Sequence, residues 1–178
     1  MNKTFINNTF EKATLRFLFL FGIIAFFNLI RKPLMKDWLI IFFLKSYIST
    51  ILDAVVVKKG YIKYPVNLFK IFDFSFLFSY ILFPISCVYY NQLSKNSNIF
   101  GMIAKSLCFS IPMTIAENWL EKNTRLIEYK KSWNWKYTLS SLTTTFLIVR
   151  LIIGIIRKST NTGRTAINKR TIKTPVTR

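Results

Sequence analysis

The sequence predicts an all-α, polytopic transmembrane helical bundle of about five spans, and three observations predict it. Five apolar stretches of membrane-crossing length are separated by short basic segments. The chain is 52% hydrophobic yet carries a formal charge of +19, a pairing that fits bases placed in membrane loops better than a nucleic-acid binder or a disordered chain. Lipid then decides the backbone. With no water to satisfy N–H and C=O groups, helices form even where 18 Phe and many β-branched residues would favour strands in water.

The stretches run Ala13–Ile30, Leu39–Val57, Ile71–Tyr90, Ile99–Leu120 and Tyr137–Ile156. A helix needs about 20 residues to cross a ~30 Å hydrocarbon core, so each is long enough. The first has an uninterrupted run of only 14 residues, Phe17 to Ile30, and follows Lys3, Lys12 and Arg16. A signal-peptide core would look similar, but no small-residue cleavage site follows. It reads as an uncleaved anchor, with an interfacial or re-entrant helix as the alternative. Pro84 and Pro112 fall inside the third and fourth stretches, deprive the carbonyls of Tyr80 and Cys108 of their donors, and predict kinks. Residues 1–12 form an amino-terminal segment and 13–156 the helical domain. The Thr-rich basic tail, 157–178, offers almost nothing to bury beyond Ser159 and is expected to be disordered. Cys87 and Cys108 lack C-x-x-C spacing and read as inert buried residues.

Alternation of spans two to five puts loops 58–70 and 121–136 on one side, here side A, opposite side B. At 1.5 Å per residue Asp53, Asp73 and Glu117 then fall in one layer roughly 3–6 Å from the side A boundary. They are expected to converge there with Trp119 and the start of span five, and to pair with loop bases, Asn118 or Thr138. Interface anchoring against the basic loops is the leading reading of that layer, and it is also the best candidate for a proton- or cation-binding site. Lys45, Lys105 and Arg150 come out roughly 18–22 Å from side A, too far for simple ion pairs with it. Lys45 and Lys105 are expected to snorkel towards side B. Arg150, a candidate buried charge, is expected to face the protein interior because a charge facing lipid costs a few kcal/mol.

Polar residues form stripes at helical spacing: Lys45, Ser49 and Asp53; Ser106, Ser110, Thr114, Glu117 and Glu121; Thr143, Arg150 and Gly154. Close helix packing explains such stripes as well as a polar pathway does. Trp119, Trp133, Trp135 and Tyr137 mark side A as interface anchors, with Tyr61, Tyr64 and Tyr129 in its loops; Trp38, Tyr89 and Tyr90 mark side B. The bases divide almost evenly between the two sides, so the positive-inside rule does not orient the chain.

The chemistry the sequence lacks narrows the function. There is no His, hence no H-E-x-x-H site and no Ser-His-Asp arrangement. Neither a G-x-x-x-x-G-K-[ST] loop nor G-x-G-x-x-G occurs, and no G-x-G-D surrounds Asp53 or Asp73. The expectation is a non-enzyme with no cofactor and no metal. The basic loops suit anionic lipid headgroups better than nucleic acid, since bases lie on both membrane faces. A homo-oligomer is compatible with the pattern.

Four segments carry a resemblance: Lys36-Asp37-Trp38-Leu39; Asp53 with Lys59-Gly60-Tyr61-Ile62-Lys63-Tyr64-Pro65; Val88-Tyr89-Tyr90-Asn91-Gln92; and Ser110-Ile111-Pro112-Met113 through Glu117-Asn118-Trp119 to Trp133-Asn134-Trp135. Over roughly residues 30–157 the chain resembles a family of small multi-spanning membrane proteins from endospore-forming Gram-positive bacteria. The resemblance implies a plasma-membrane helical protein in a spore-forming host, and it brings no activity, ligand or catalytic residue. The leading expectation is a non-catalytic envelope protein, spore-related through that resemblance, that works through lipid or protein contacts. The alternative is a small transport or ion-conducting component built on the carboxylate cluster.

Overall fold

A computed structural model describes residues 8–31, 35–66 and 75–173, and it is an all-α bundle. Helix α1 spans Asn8–Ile30, α2 Met35–Lys58, α3 Phe83–Leu93, α4 Ile99–Asn123 and α5 Trp135–Lys173. Four helices are long and apolar enough to cross a membrane: Glu11–Leu29, Met35–Lys58, Ile99–Asn123 and Trp135–Thr160. Only 17 to 33% of these windows is buried inside the protein, so most of their apolar surface needs lipid rather than water beside it. Phe17, Phe21, Ile24, Phe43, Ile115 and Ile155 point outward on four different helices. Such an arrangement fits an integral membrane protein.

The third stretch is helical from Phe76 to Leu93, but not uniformly. Residues Phe78–Leu82 form a π turn in which the Phe83 N–H bonds to Phe78 O, and α3 starts directly after it with Pro84 in its first turn. The expected kink therefore takes a specific form. A wider turn absorbs the donor that Pro84 lacks, and the helix restarts where proline is tolerated. The beginning of this stretch, residues 71–74, lies outside the described residues.

Helix α1 packs on α2 and on the π turn. A Cβ placed on Gly22 would run into the Ile81 side chain, so only glycine allows this close approach. Gly22→Leu should lower stability by about 1–3 kcal/mol, as overpacking does; thermal unfolding in detergent measures it.

Helix α2 ends in a Schellman turn: Tyr61 N bonds to Val56 O and Gly60 N to Val57 O, with Gly60 at φ +73°. The chain then enters β1, Ile62–Lys63, which pairs antiparallel with β2, Glu128–Tyr129, in the register Ile62↔Tyr129 and Lys63↔Glu128. Lys131 fastens the same two loops, donating to Lys59 O and lying 5.2 Å from the Tyr61 ring centroid. Loops 58–66 and 121–136 thus meet at one end of the bundle, the end corresponding to side A. Glu11 is held there too, accepting the Arg125 N–H at 2.9 Å.

At the opposite end an apolar cluster of Leu29, Trp38, Ile41, Val88, Tyr90, Phe146, Val149 and Ile153 closes the bundle. Arg157 bridges to Asp37 at 3.1 Å and lies 5.7 Å from the Trp38 ring, tying α5 to α2. The helical backbone of α5 runs past Ser159 to Lys173, into the segment expected to be unstructured.

Candidate functional site

Two of the three expected acids line one cavity of about 60 Å³ between the side A loops and the apolar cluster. On the scale where one water needs about 10–15 Å³, the space admits a small ion or a few waters. Asp53 and Glu117 both line it, joined by Lys45 and Ser49 from α2, Ser79 from the π turn and Thr145 from α5. Asp73, the third acid, lies outside the described residues.

Helical spacing explains the arrangement. Lys45, Ser49 and Asp53 succeed one another at four-residue steps and share the inner face of α2. Ser106, Ser110, Thr114 and Glu117 are all buried along α4, so that stripe also turns inward. The α5 stripe is corrected: Gly154 is exposed and meets nothing within 4 Å, while Thr138, Ser141 and Thr145 face the cavity. A 100° step per residue places Thr138, Ser141 and Thr145 on one side of α5 as readily as it places the expected trio, and packing chose between them.

Among the described residues each carboxylate is held by hydroxyls, with the Ser75 backbone N–H added at Asp53, rather than by loop bases. Asp53 Oδ1 accepts Tyr64 OH at 2.8 Å, and its Oδ2 accepts Ser79 Oγ at 2.9 Å. Glu117 Oε1 accepts Tyr129 OH at 3.0 Å and Thr138 Oγ1 at 3.3 Å. The Trp133 indole donates to Thr138 Oγ1 at 3.1 Å and braces that contact. Pairing with Thr138 matches the sequence reading. Trp119 does not pack here: it is 52% exposed on the outer face of α4, and Trp133 stands in its place.

Lys45 is the main departure. Instead of snorkelling to side B it is 1% exposed and donates to Thr145 Oγ1 at 2.6 Å. Its ammonium lies 5.1 Å from the Phe146 ring centroid and 5.9 Å from that of Phe83. The expected separation from Asp53 stands, since eight residues are about 12 Å of helix; among the described residues no ion pair links Lys45 to an acid. Thr145 and the two ring faces supply an inward partner, which makes the long path to side B unnecessary. Lys45 is therefore a buried base, the role expected of Arg150.

Arg150 itself is half-buried and lies away from the cavity. Its Nη2 donates to Ser94 O and Lys95 O at 3.0 Å each. Lys105 donates to Leu93 O and Ser97 Oγ, both at 2.8 Å. Two cations thus cap the carbonyl end of α3 near side B, where the helix dipole favours positive charge.

Sequence reasoning read Tyr64 and Tyr129 as interface anchors, and did not single out Ser79 at all. A usable signal was the alternation Ile62-Lys63-Tyr64 and Ile127-Glu128-Tyr129, which has strand period and turns the Ile and Tyr side chains to the same face. Burial pushes the Tyr64 phenol well above its ordinary value of 10, and the nearby Asp53 and Glu117 carboxylates push it further. Tyr129 is raised as well, by burial first and then by Glu117. Both phenols therefore stay protonated in the fold after the unfolded chain has lost its phenolic protons. The native state then binds more protons, and stability falls as pH rises through and beyond 10. Following phenolate absorbance should show at least two of the eight tyrosines titrating only as the fold is lost.

Among the described residues no group of three His, Cys, Asp or Glu gathers. What the cavity offers is two carboxylates, one ammonium and several hydroxyls. Such a set suits exchange of a proton or a small hard ion. In comparisons with protein-family models, curated proteins and solved structures, nothing matches this chain.

Proposed function

We propose that this chain is a multi-pass protein of the cell membrane, crossing it five times, that works without bond-making chemistry as a small transport or ion-handling component. One observation carries the reading: Lys45, Asp53 and Glu117, from two different helices, line a single cavity inside a bundle whose outer face is apolar. Ionisable side chains at membrane depth are costly, so their gathering at one place marks a working site more readily than a packing accident. The anchored amino-terminal end of α1, held at side A through Glu11, supports α1 as a crossing helix. The resemblance in the sequence suggests the plasma membrane of a spore-forming bacterium.

Vesicles reconstituted with the protein should pass protons or monovalent cations. The double variant D53N/E117Q should lose that flux while remaining monodisperse in detergent. Wild-type flux no greater than in empty vesicles would remove the transport reading. Reporter fusions after residues 32, 64, 95, 128 and 160 should alternate in location; two consecutive reporters on one side would remove the five-span reading.

The basic side A loops favour a second reading, a contact protein on anionic lipid. Lys63, Lys122 and Lys136 lie in or beside those loops. Each base near such a surface adds about 1 kcal/mol, an attraction that salt screens. Under that reading anionic lipid should stabilise the protein even where no flux is measured.

A further inference from the structure

We infer that the cavity between α2, α4 and α5 is a binding site for one monovalent cation, held by Asp53, Glu117 and Ser49 and displaced by protons. The inference deepens the reading of the cavity as the working part of the protein.

Ser49 supplies the observation that a pair of acids alone would not. Its residue is 6% exposed and lines the cavity, and its buried Oγ has no hydrogen-bond partner. Neighbouring hydroxyls in the same bundle behave differently. Ser46 bonds Phe42 O, Thr50 bonds Ser46 O, Ser110 bonds Ser106 O and Thr114 bonds Ser110 O, all at 2.8 or 2.9 Å. The same bond was open to Ser49 through Lys45 O. A shielded hydroxyl left unpaired is unfavourable; Ser94 and Thr143 share that state, but Ser49 alone of the three lines the cavity, where a ligand can complete it. Among the described residues, the hydroxyls that bond Glu117 both donate to Oε1, which leaves Oε2 for a ligand.

Charge counting sets the class of ligand. Asp53 and Glu117 contribute two negative charges and Lys45 one positive, so the ionised cavity is short of one positive charge. A single monovalent cation or a single proton closes the deficit. A divalent ion would reverse its sign, and an anion would deepen it, each an unfavourable buried charge. The site's ligands are oxygens only, which suits a hard ion such as Na⁺. Among the described residues the titratable groups around it are Lys45 and Asp53 from α2, Tyr64 after β1, Cys87 of α3 beside Lys45, Tyr129 from β2, and Glu117 with the neighbouring Glu121 from α4; α5 and the π turn line it with hydroxyls. Protonation of either carboxylate removes the charge that holds the ion, so affinity for the cation should fall as pH falls.

The test is calorimetric titration of the purified full chain in detergent with NaCl, KCl and LiCl against a choline chloride background, at mildly alkaline and mildly acidic pH. Saturable binding of one equivalent is expected, weaker at the acidic pH and accompanied by proton release. Glu117→Gln should weaken it by about tenfold or more, the loss expected when one charged ligand is removed. Ser49→Ala, which keeps every charge, should weaken it a few-fold and serves if the glutamine variant does not fold. No saturable binding of any of the three cations by the wild type would overturn the inference. So would binding that survives unchanged in folded Glu117→Gln or Ser49→Ala protein. Binding without vesicle flux supports the site and removes only the transport reading.

Discussion

Phe146→Ala should destabilise the protein by about 3–5 kcal/mol, the range for truncating a buried phenylalanine. Phe146 is completely buried and stacks on Tyr90 with centroids 5.6 Å apart and planes 14° from parallel. Between membrane helices the hydrophobic term is largely absent, so the loss would come from missing dispersion contacts and from the void left behind. The same ring forms part of the support beneath the Lys45 ammonium, so the variant should disturb the deep end of the cavity as well. Phe43→Ala is the control. Phe43 is 63% exposed towards lipid, and its truncation should change stability little. Unfolding in graded mixtures of mild detergent and dodecyl sulfate would compare the two.

Glu117→Ala should cost about 1–3 kcal/mol, because it strips the acceptor from Tyr129 OH and Thr138 Oγ1; the two hydroxyls lie 3.2 Å apart, so one can turn to the other and one buried donor is left unpaired. Glu117→Gln keeps a carbonyl in the same place and should stay within about 1 kcal/mol of the wild type. The contrast separates structure from function. Alanine removes both the roof contacts and the ligand charge, whereas glutamine removes the charge and spares the contacts. Equal losses of stability in the two variants would mean that the hydroxyls do not depend on this side chain.

Much of this arrangement was legible because helix geometry is regular. A rise of 1.5 Å per residue placed Asp53 and Glu117 at a common level, and a 100° step put Lys45, Ser49 and Asp53 on one face. The stripe from Ser106 to Glu117 turned inward for the same reason. What the sequence left open was set by tertiary contacts. Lys45 found Thr145 a hundred residues away, and no local rule weighs that acceptor against the water of side B. Tyr64 and Tyr129 have the composition of headgroup anchors; only the pairing of two-residue strands turns them onto the acids. Strands so short leave only the three-residue alternations around Lys63 and Glu128 as a signal. Trp119 and Trp133 were equivalent as interface residues, and the direction in which α4 packs on α5 left one outside and one inside. The π turn is legible in hindsight through Pro84, whose missing donor had to be accommodated nearby, though its effect of aiming Ser79 at Asp53 is not.

The cavity depends on loops 58–66 and 121–136 meeting over it, and a disulfide between them measures that most directly. In a background lacking Cys87 and Cys108, cysteines replace Lys63 and Glu128, which are direct partners across the two strands. Paired Cα atoms in an antiparallel ladder lie about 4.5–5.5 Å apart, within disulfide reach. Mild oxidation in intact membranes should join positions 63 and 128 efficiently, whereas a control pairing 63 with Lys95 at the opposite end should not join. Failure of the 63–128 pair, or labelling of the two loops from opposite sides of the membrane, would contradict the account.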